Sequence, residues 1–321
     1  MKILVTGAAG FVGSHVTKKL LDDSNHIIGI DNFNNYYDNS LKYKRVSQLI
    51  NNKSFQCLDI DLCNKKAIDV LFNEHAFDIV INLAAQAGVR YSIENPEAYT
   101  DSNLVGFMNI LEAVRNNGIK HLIYASSSSV YGNSPNFPYK ESQNVNQPIS
   151  LYAATKVSNE LLASSYSHLY DFSTTGLRFF TVYGPWGRPD MAYYMFTKNI
   201  MNNAPINVFA KGMLKRDFTY IDDIVDGVSL IANKPTTSPR SEVFNLGNSS
   251  PVKVLDFISI LEKHLQKEAI INYLPMQPGD VEQTFADLSK VQNYIPYNPK
   301  TSIDDGLGNF CNWYKNFVKD C

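Results

Sequence analysis

Tyr152 and Lys156 stand four residues apart in Leu151-Tyr152-Ala153-Ala154-Thr155-Lys156, inside a long helical pattern. On a helix that spacing puts both side chains on one face, so phenol and ammonium can act as a unit. An unperturbed tyrosine, with a pKa of about 10, is a poor base at neutral pH, but a neighbouring ammonium favours its phenolate. The chemistry implied is removal of a proton from a substrate hydroxyl. The same spacing is common on solvated helices, so the pair takes its meaning from its surroundings. Upstream, Ser126-Ser127-Ser128-Ser129-Val130-Tyr131-Gly132 follows an apolar run at 121–125 that reads as a strand. A serine there can hydrogen-bond the reacting hydroxyl and share its proton with the tyrosine. A flexible polar loop is the plainer alternative for four serines.

A second group of residues is suited to a dinucleotide. Gly7-Ala8-Ala9-Gly10-Phe11-Val12-Gly13 follows the predicted strand Lys2–Thr6 and opens a helix. Glycines in that context permit a tight turn and let backbone N–H groups and the helix N-terminus approach a pyrophosphate. The spacing is Gly-x-x-Gly-x-x-Gly, so the common Gly-x-Gly-x-x-Gly fingerprint is matched only in kind. Asp31 falls at the end of the second predicted strand, where a carboxylate accepts both adenosine ribose hydroxyls and repels the 2′-phosphate of NADP. A capped turn at Asp31-Asn32-Phe33-Asn34 is the competing explanation. Asp61-Leu62, after a third strand, is placed to contact adenine, and Leu83-Ala84-Ala85-Gln86 ends a fourth with small residues that allow close approach.

These groups must be held by a larger scaffold. Short β-branched runs at 2–6, 26–30, 79–83, 121–125 and 174–179 alternate with amphipathic stretches, which predicts right-handed βαβ units and a doubly wound parallel sheet. After Tyr183 the rhythm breaks into Gly184-Pro185-Trp186-Gly187-Arg188-Pro189, a short helix and a loop leading to Arg216-Asp217-Phe218. The stretches 218–232 and 243–246 read as a return to the first lobe. The expected organisation is a nucleotide-binding Rossmann domain at 1–182 and 218–246, with a smaller interleaved α/β substrate domain at 183–217 and 247–321. Phe310, Trp313, Tyr314 and Phe317 recur at helical spacing and are read as a core-facing stripe without a role in the site.

Bulk properties narrow the function classes. The 321 residues include 29 basic and 31 acidic side chains, a net charge of −2, which offers no general attraction for nucleic acid or anionic lipid. Cys57, Cys63, Cys311 and Cys321 form no C-x-x-C pair and the six histidines show no ligand spacing, so neither a metal nor a disulfide is expected. No apolar run approaches the length of a membrane span, and the structural pattern starts at Lys2, so no signal peptide and a cytoplasmic setting are expected.

Together, the glycine turn, Asp31, the serine run before Val130-Tyr131-Gly132, the Tyr152/Lys156 pair and Arg216-Asp217-Phe218-Thr219-Tyr220-Ile221-Asp222-Asp223 resemble the extended short-chain dehydrogenase family across essentially the whole chain. More narrowly, Ala85-Gln86-Ala87-Gly88-Val89-Arg90-Tyr91-Ser92, the stretch from Arg178 to Met191 and Gln277-Pro278-Gly279-Asp280-Val281 resemble UDP-glucuronate 4-epimerases. The resemblance implies Ser127, Tyr152 and Lys156 as the catalytic group, with Tyr152 the base. It implies NAD as cofactor, contacted also by Phe11, Val12, Asn32, Asn35, Asn103 and Phe180. It places Arg216 on a substrate diphosphate and Asp280 on a substrate hydroxyl, with Arg90 and Thr181 as further contacts.

The reaction so implied is inversion at C4 of a UDP-sugar through a transient 4-keto sugar, with UDP-glucuronate and UDP-galacturonate as the expected pair. Such a ketone is a β-keto acid, and loss of carbon dioxide is avoided only if the carboxylate is kept out of the reactive orientation. Ser128, Ser129 and Thr181 are expected to bind that carboxylate through neutral hydroxyls, with Arg188 nearby. UDP-galactose or UDP-N-acetylglucosamine 4-epimerisation is the alternative within enzymes, and a non-catalytic NAD-binding sensor the alternative of another class. A 4,6-dehydratase or a decarboxylase is disfavoured because their family patterns carry acidic residues near the serine run. The family also implies a homodimer and a role in carbohydrate metabolism, including polysaccharide biosynthesis.

Overall fold

The computed structural model describes all residues except 235–239, 278–279 and 320–321. Pro278, Gly279 and Cys321 therefore lie outside the described residues. Among the described residues twelve strands form in chain order: β1 Lys2–Thr6, β2 His26–Asp31, β3 Phe55–Asp59, β4 Ile79–Asn82, β5 His121–Ser127, β6 Ser173–Phe179, β7 Thr181–Tyr183, β8 Ile206–Phe209, β9 Lys215–Tyr220, β10 Ser241–Leu246, β11 Pro251–Lys253 and β12 Ile271–Leu274. Seven of them make one sheet in the order β10-β6-β5-β4-β1-β2-β3, with every pairing parallel. This is the expected doubly wound Rossmann arrangement, and the late strand β10 does return to its edge beside β6.

Near-continuous apolar strands are what a sheet covered on both faces requires. Ile3, Val5, Ile27, Ile81, Ile123 and Leu177 point into one core layer, while Leu4, Ile28, Val80, Leu122 and Tyr124 point into the other. The second layer is closed by Ile68 and Phe72 of the helix Lys65–Glu74 and by Phe107, Ile110 and Leu111 of the helix Gly106–Asn116. Because β1 is flanked by β2 on one side and β4 on the other, strand order reverses between β1 and β4, and a crevice opens beyond their carboxyl ends.

One expectation about the serine run is corrected. β5 does not stop at Ala125 but continues through Ser127, because Ser126 and Ser127 keep pairing with Arg178 and Phe179 of β6. Ser128–Tyr131 then forms a 3₁₀ turn, and the Ser127 hydroxyl oxygen accepts the Ser129 N–H at 3.1 Å. The four serines are therefore strand and turn, with fixed directions.

The remaining strands build two small sheets, β11-β9-β7 and β12-β8. Asp217 of β9 ties this region together: fully buried, its carboxylate accepts N–H groups from Asn248, Ser249 and Ala286 at 2.8–3.0 Å. Burial raises its pKa while those backbone donors pull it down. The aromatic stripe of the helix Ile303–Lys319 does face inward. Phe310 meets Tyr193 edge-on at 4.9 Å, and Trp313 lies 5.2 Å from Trp186. Among the described residues no helix is long and apolar enough to cross a membrane, and Cys57, Cys63 and Cys311 are free thiols.

Candidate active site

The crevice is a cavity of about 460 Å³. Its floor is the turn between β1 and the helix Phe11–Asp22. Gly7 has φ +69°, and a Cβ there would lie 2.8 Å from the Ala84 nitrogen; a Cβ on Gly13 would lie 2.0 Å from the Gly7 carbonyl oxygen. Only glycine fits either position. The helix cap, Gly10, makes no side-chain capping bond and the first turn carries no acidic residue, so its N–H groups and positive end are open to an anion. Gly7, Gly10, Phe11, Val12 and Gly13 line the cavity together with Asp31, Asn32, Asp61, Leu62, Leu83, Ala84, Ala85 and Gln86. A phosphate-sized anion over the turn and a ribose beside β2 suit these walls, which is the fit a dinucleotide demands.

Asp31 serves two ends at once. Its carboxylate accepts the Phe33 N–H at 2.9 Å, the capped turn considered above, and also receives Lys42 Nζ at 3.1 Å in a buried ion pair. Asp61 accepts from Asn32 Nδ2 at 2.8 Å and from the Cys63 N–H at 2.7 Å; burial raises its pKa, yet these donors outweigh burial and leave it lowered. Asn103 stands one layer behind the wall. Its amide bonds both backbone groups of Gln86, at 2.8 and 3.0 Å, and Thr155 Oγ1 at 3.0 Å, so it shapes the wall without lining it. It sits in a π-helical turn, Thr100–Val105, a distortion frequent at functional sites. Asn35 is exposed and off the cavity, whereas its neighbour Asn34 lines it.

At the other end, β5 delivers Ser127, and the helix Leu151–Tyr170 delivers Tyr152 and Lys156, to the same cavity. Ser150 caps that helix by accepting the Ala153 N–H at 3.1 Å, which fixes the turn carrying Tyr152. Burial pushes the Tyr152 phenol above its ordinary value, while its hydrogen bond with Ser127 and the charge of Arg188 pull it down. Lys156, 4% exposed, donates to the Ala125 carbonyl at 3.0 Å, and burial brings it down to about 8 against an opposing pull from Glu160. The ammonium lies 5.9 Å from the Tyr152 ring centre and is directed at a carbonyl, and the groups that lower the phenol are Ser127 and Arg188.

Phe180, Thr181, Ser128, Ser129 and Arg188 complete the wall. Arg188 is already paired with Asp190, which also accepts the Tyr36 hydroxyl at 3.1 Å. A second cavity of about 170 Å³ adjoins the first through Val89, Ser128, Ser129 and Thr181, and Arg216 and Asp280 both face it. There Arg216 and Asp280 form an ion pair with each other. Arg90 lies outside both cavities and bonds Gln277. Sequence reasoning missed Tyr36, Tyr37, Lys42 and Met191 in the first cavity and Tyr139 and Thr284 in the second. The aromatic richness of 32–39 was the one available signal, and it carries no direction without the fold.

Comparison with known proteins agrees with this construction. The family model described as "NAD dependent epimerase/dehydratase family" matches residues 3–247. The protein CapI of Staphylococcus aureus is 50% identical, over 99% of this chain and 100% of its own length. UDP-glucuronate 4-epimerase 1 of Arabidopsis thaliana is 46% identical, over 99% of this chain and 77% of the plant protein. The crystal structure of UDP-glucuronic acid 4-epimerase from Bacillus cereus, in complex with UDP-glucuronic acid and NAD, superposes with a TM-score of 0.93 at 37% identity, covering 99% of this chain and 100% of that one. A cofactor-shaped crevice, a serine, tyrosine and lysine at its inner end, and relatives matched along the whole chain lead to one statement: the chain belongs to the NAD-dependent epimerase/dehydratase family.

Proposed function

We propose that this chain is an NAD-dependent nucleotide-sugar 4-epimerase that interconverts UDP-glucuronate and UDP-galacturonate. The reading rests on one observation: Ser127, Tyr152 and Lys156 share a cavity with the glycine turn and Asp31, and a second cavity bearing Arg216 opens directly beside them. Gly7, Gly10 and Gly13 would hold NAD along the turn, where it would supply a reversible hydride acceptor for the sugar C4, and the proposed route passes through a transient 4-keto sugar. Tyr152 takes the C4 hydroxyl proton, Ser127 orients that hydroxyl, and Lys156 adds positive charge and a donor at the cofactor side. Gly7, Gly10 and Gly13 admit the diphosphate, and Asp31 receives the adenosine ribose.

Inversion requires the nucleotide to be held while the sugar turns over. Arg216, at the second cavity, is proposed to exchange part of its bond to Asp280 for the substrate diphosphate, which leaves Asp280 free to accept a substrate hydroxyl. Ser128, Ser129 and Thr181 are proposed to hold the C6 carboxylate. With Arg188 committed to Asp190, its charge is balanced, and neutral hydroxyls are the groups left to hold the acid away from the orientation that expels carbon dioxide. In this reading the cofactor is carried by residues 1–182 and 218–246 and the nucleotide sugar by 183–217 and 247–321.

Incubation of the purified chain with a panel of UDP-sugars, followed by product identification, tests the substrate. UDP-galacturonate is expected from UDP-glucuronate; turnover of UDP-galactose or UDP-N-acetylglucosamine alone would replace the uronate by a neutral sugar. Tyr152→Phe separates an enzyme from a sensor, because loss of the proton acceptor lowers kcat on the order of 10²–10⁴-fold. Turnover unchanged in that variant would end the assignment of Tyr152.

A further inference from the structure

Lys42 is a cation that the proton chemistry does not use. It belongs to the helix Ser40–Ser47, is 7% exposed, and still lines the first cavity beside Asp31. Its ammonium donates to Asp31 Oδ1 at 3.1 Å and to Asn34 Oδ1 at 3.2 Å and lies 5.8 Å from the Tyr37 ring centre. The next charged group on this wall, Asp61, is engaged by Asn32 and the Cys63 N–H. No second carboxylate is bonded to Lys42 among the described residues.

A lone carboxylate at the end of the second strand rejects a 2′-phosphate by its charge, and a nearby cation is what accommodates one. Here both devices occupy one wall. Paired, they present no net charge, so rejection of NADP does not follow from Asp31 as an isolated anion. It follows from Asp31 keeping the ammonium occupied. We propose that Lys42 is a specificity-determining residue of the cofactor site: a latent 2′-phosphate-binding cation held in check by Asp31, so that the choice between NAD and NADP is set by the pair. The proposal rests on the dinucleotide reading of this cavity. It also predicts that one neutralising substitution, with nothing added, changes cofactor preference. Asparagine keeps an oxygen for the Phe33 N–H, so the turn survives the change.

The test is a competition that reads binding and not turnover. The full chain is incubated to constant composition with an equimolar NAD–NADP mixture, desalted, and the retained nucleotide is released and quantified, for wild type, Asp31→Asn, Lys42→Met and the double variant. Wild type should retain NAD. Asp31→Asn should move the NADP:NAD ratio upward by on the order of tenfold, the weight of one charge contact of about 1.4 kcal/mol. Lys42→Met should move the ratio the other way, and in the double variant the gain should collapse to within about threefold of wild type. Circular dichroism checks each fold, and Asp31→Ser, whose hydroxyl can also cap the turn, stands in if asparagine is not tolerated. An equal gain with and without Lys42, or no gain from either neutral residue, overturns the proposal while NAD retention by wild type leaves the cofactor reading intact. Failure of wild type to retain either nucleotide overturns both.

Discussion

Lys156 exchanges its hydration for the Ala125 carbonyl, and the consequence is measurable as a dependence on pH. Burial lowers its folded pKa from 10.5 to about 8. Between those values the unfolded chain binds a proton that the folded chain has released, so this group adds stability as pH rises from about 8 toward 10.5, and below 8 its charge is a cost. The melting temperature of wild type relative to Lys156→Met is therefore expected to climb across that window. A constant difference would show that the ammonium is not desolvated as the structure has it. For the proposed chemistry the charged form is the one needed, so turnover should fall as pH passes 8, before the decline that an ordinary lysine would give. The Tyr152/Lys156 pair was visible in sequence because its spacing is local. The direction of the lysine, toward a carbonyl on β5, was not.

At the scale of elements, one buried ion pair holds the catalytic helix to the sheet. Arg178 of β6 bonds Glu160 of the helix Leu151–Tyr170 at 2.9 and 2.7 Å, Glu160 accepts the Ser126 hydroxyl at 2.5 Å, and Arg178 reaches Tyr131 at 3.0 Å. The network thus touches β5 one residue before Ser127 and the helix one turn beyond Lys156. Glu160→Gln leaves the guanidinium buried without its counter-charge and is expected to cost about 3–5 kcal/mol. The check is the denaturant midpoint at unchanged slope; a loss below about 1 kcal/mol would mean that water replaces the carboxylate. The strands of this region were legible from β-branched runs, but the end of β5 was not, since polar serines continue a strand only where a partner and a buried carboxylate receive them.

For the whole molecule, the exposed apolar surface argues for assembly. Leu161 and Leu169, 67% and 61% exposed, stand on the helix Leu151–Tyr170, and Val105, 46% exposed, stands on the π-helical turn packed against it. We propose that the homodimer implied by the family resemblance buries these side chains, so the solution mass should be twice the 36.1 kDa of the chain. Leu161→Asp should shift the mass toward one chain without loss of helical circular dichroism. A wild-type chain that sediments as a monomer at micromolar concentration would remove the dimer.

The sequence by itself determined what depends on near neighbours: the glycine turn, the acidic end of β2, the helical spacing of Tyr152 and Lys156, and the alternation that compels a doubly wound sheet. Local sterics and periodicity carry that information in a few consecutive residues. Tertiary structure alone decided which distant groups meet. Arg216 faces Asp280 across 64 positions, and Tyr36 reaches Asp190 across 154. Lys42 closes on Asp31, and Asn103 is spent on the Gln86 backbone. Those encounters depend on how sheets and loops pack, and packing brings together residues that no window of sequence contains.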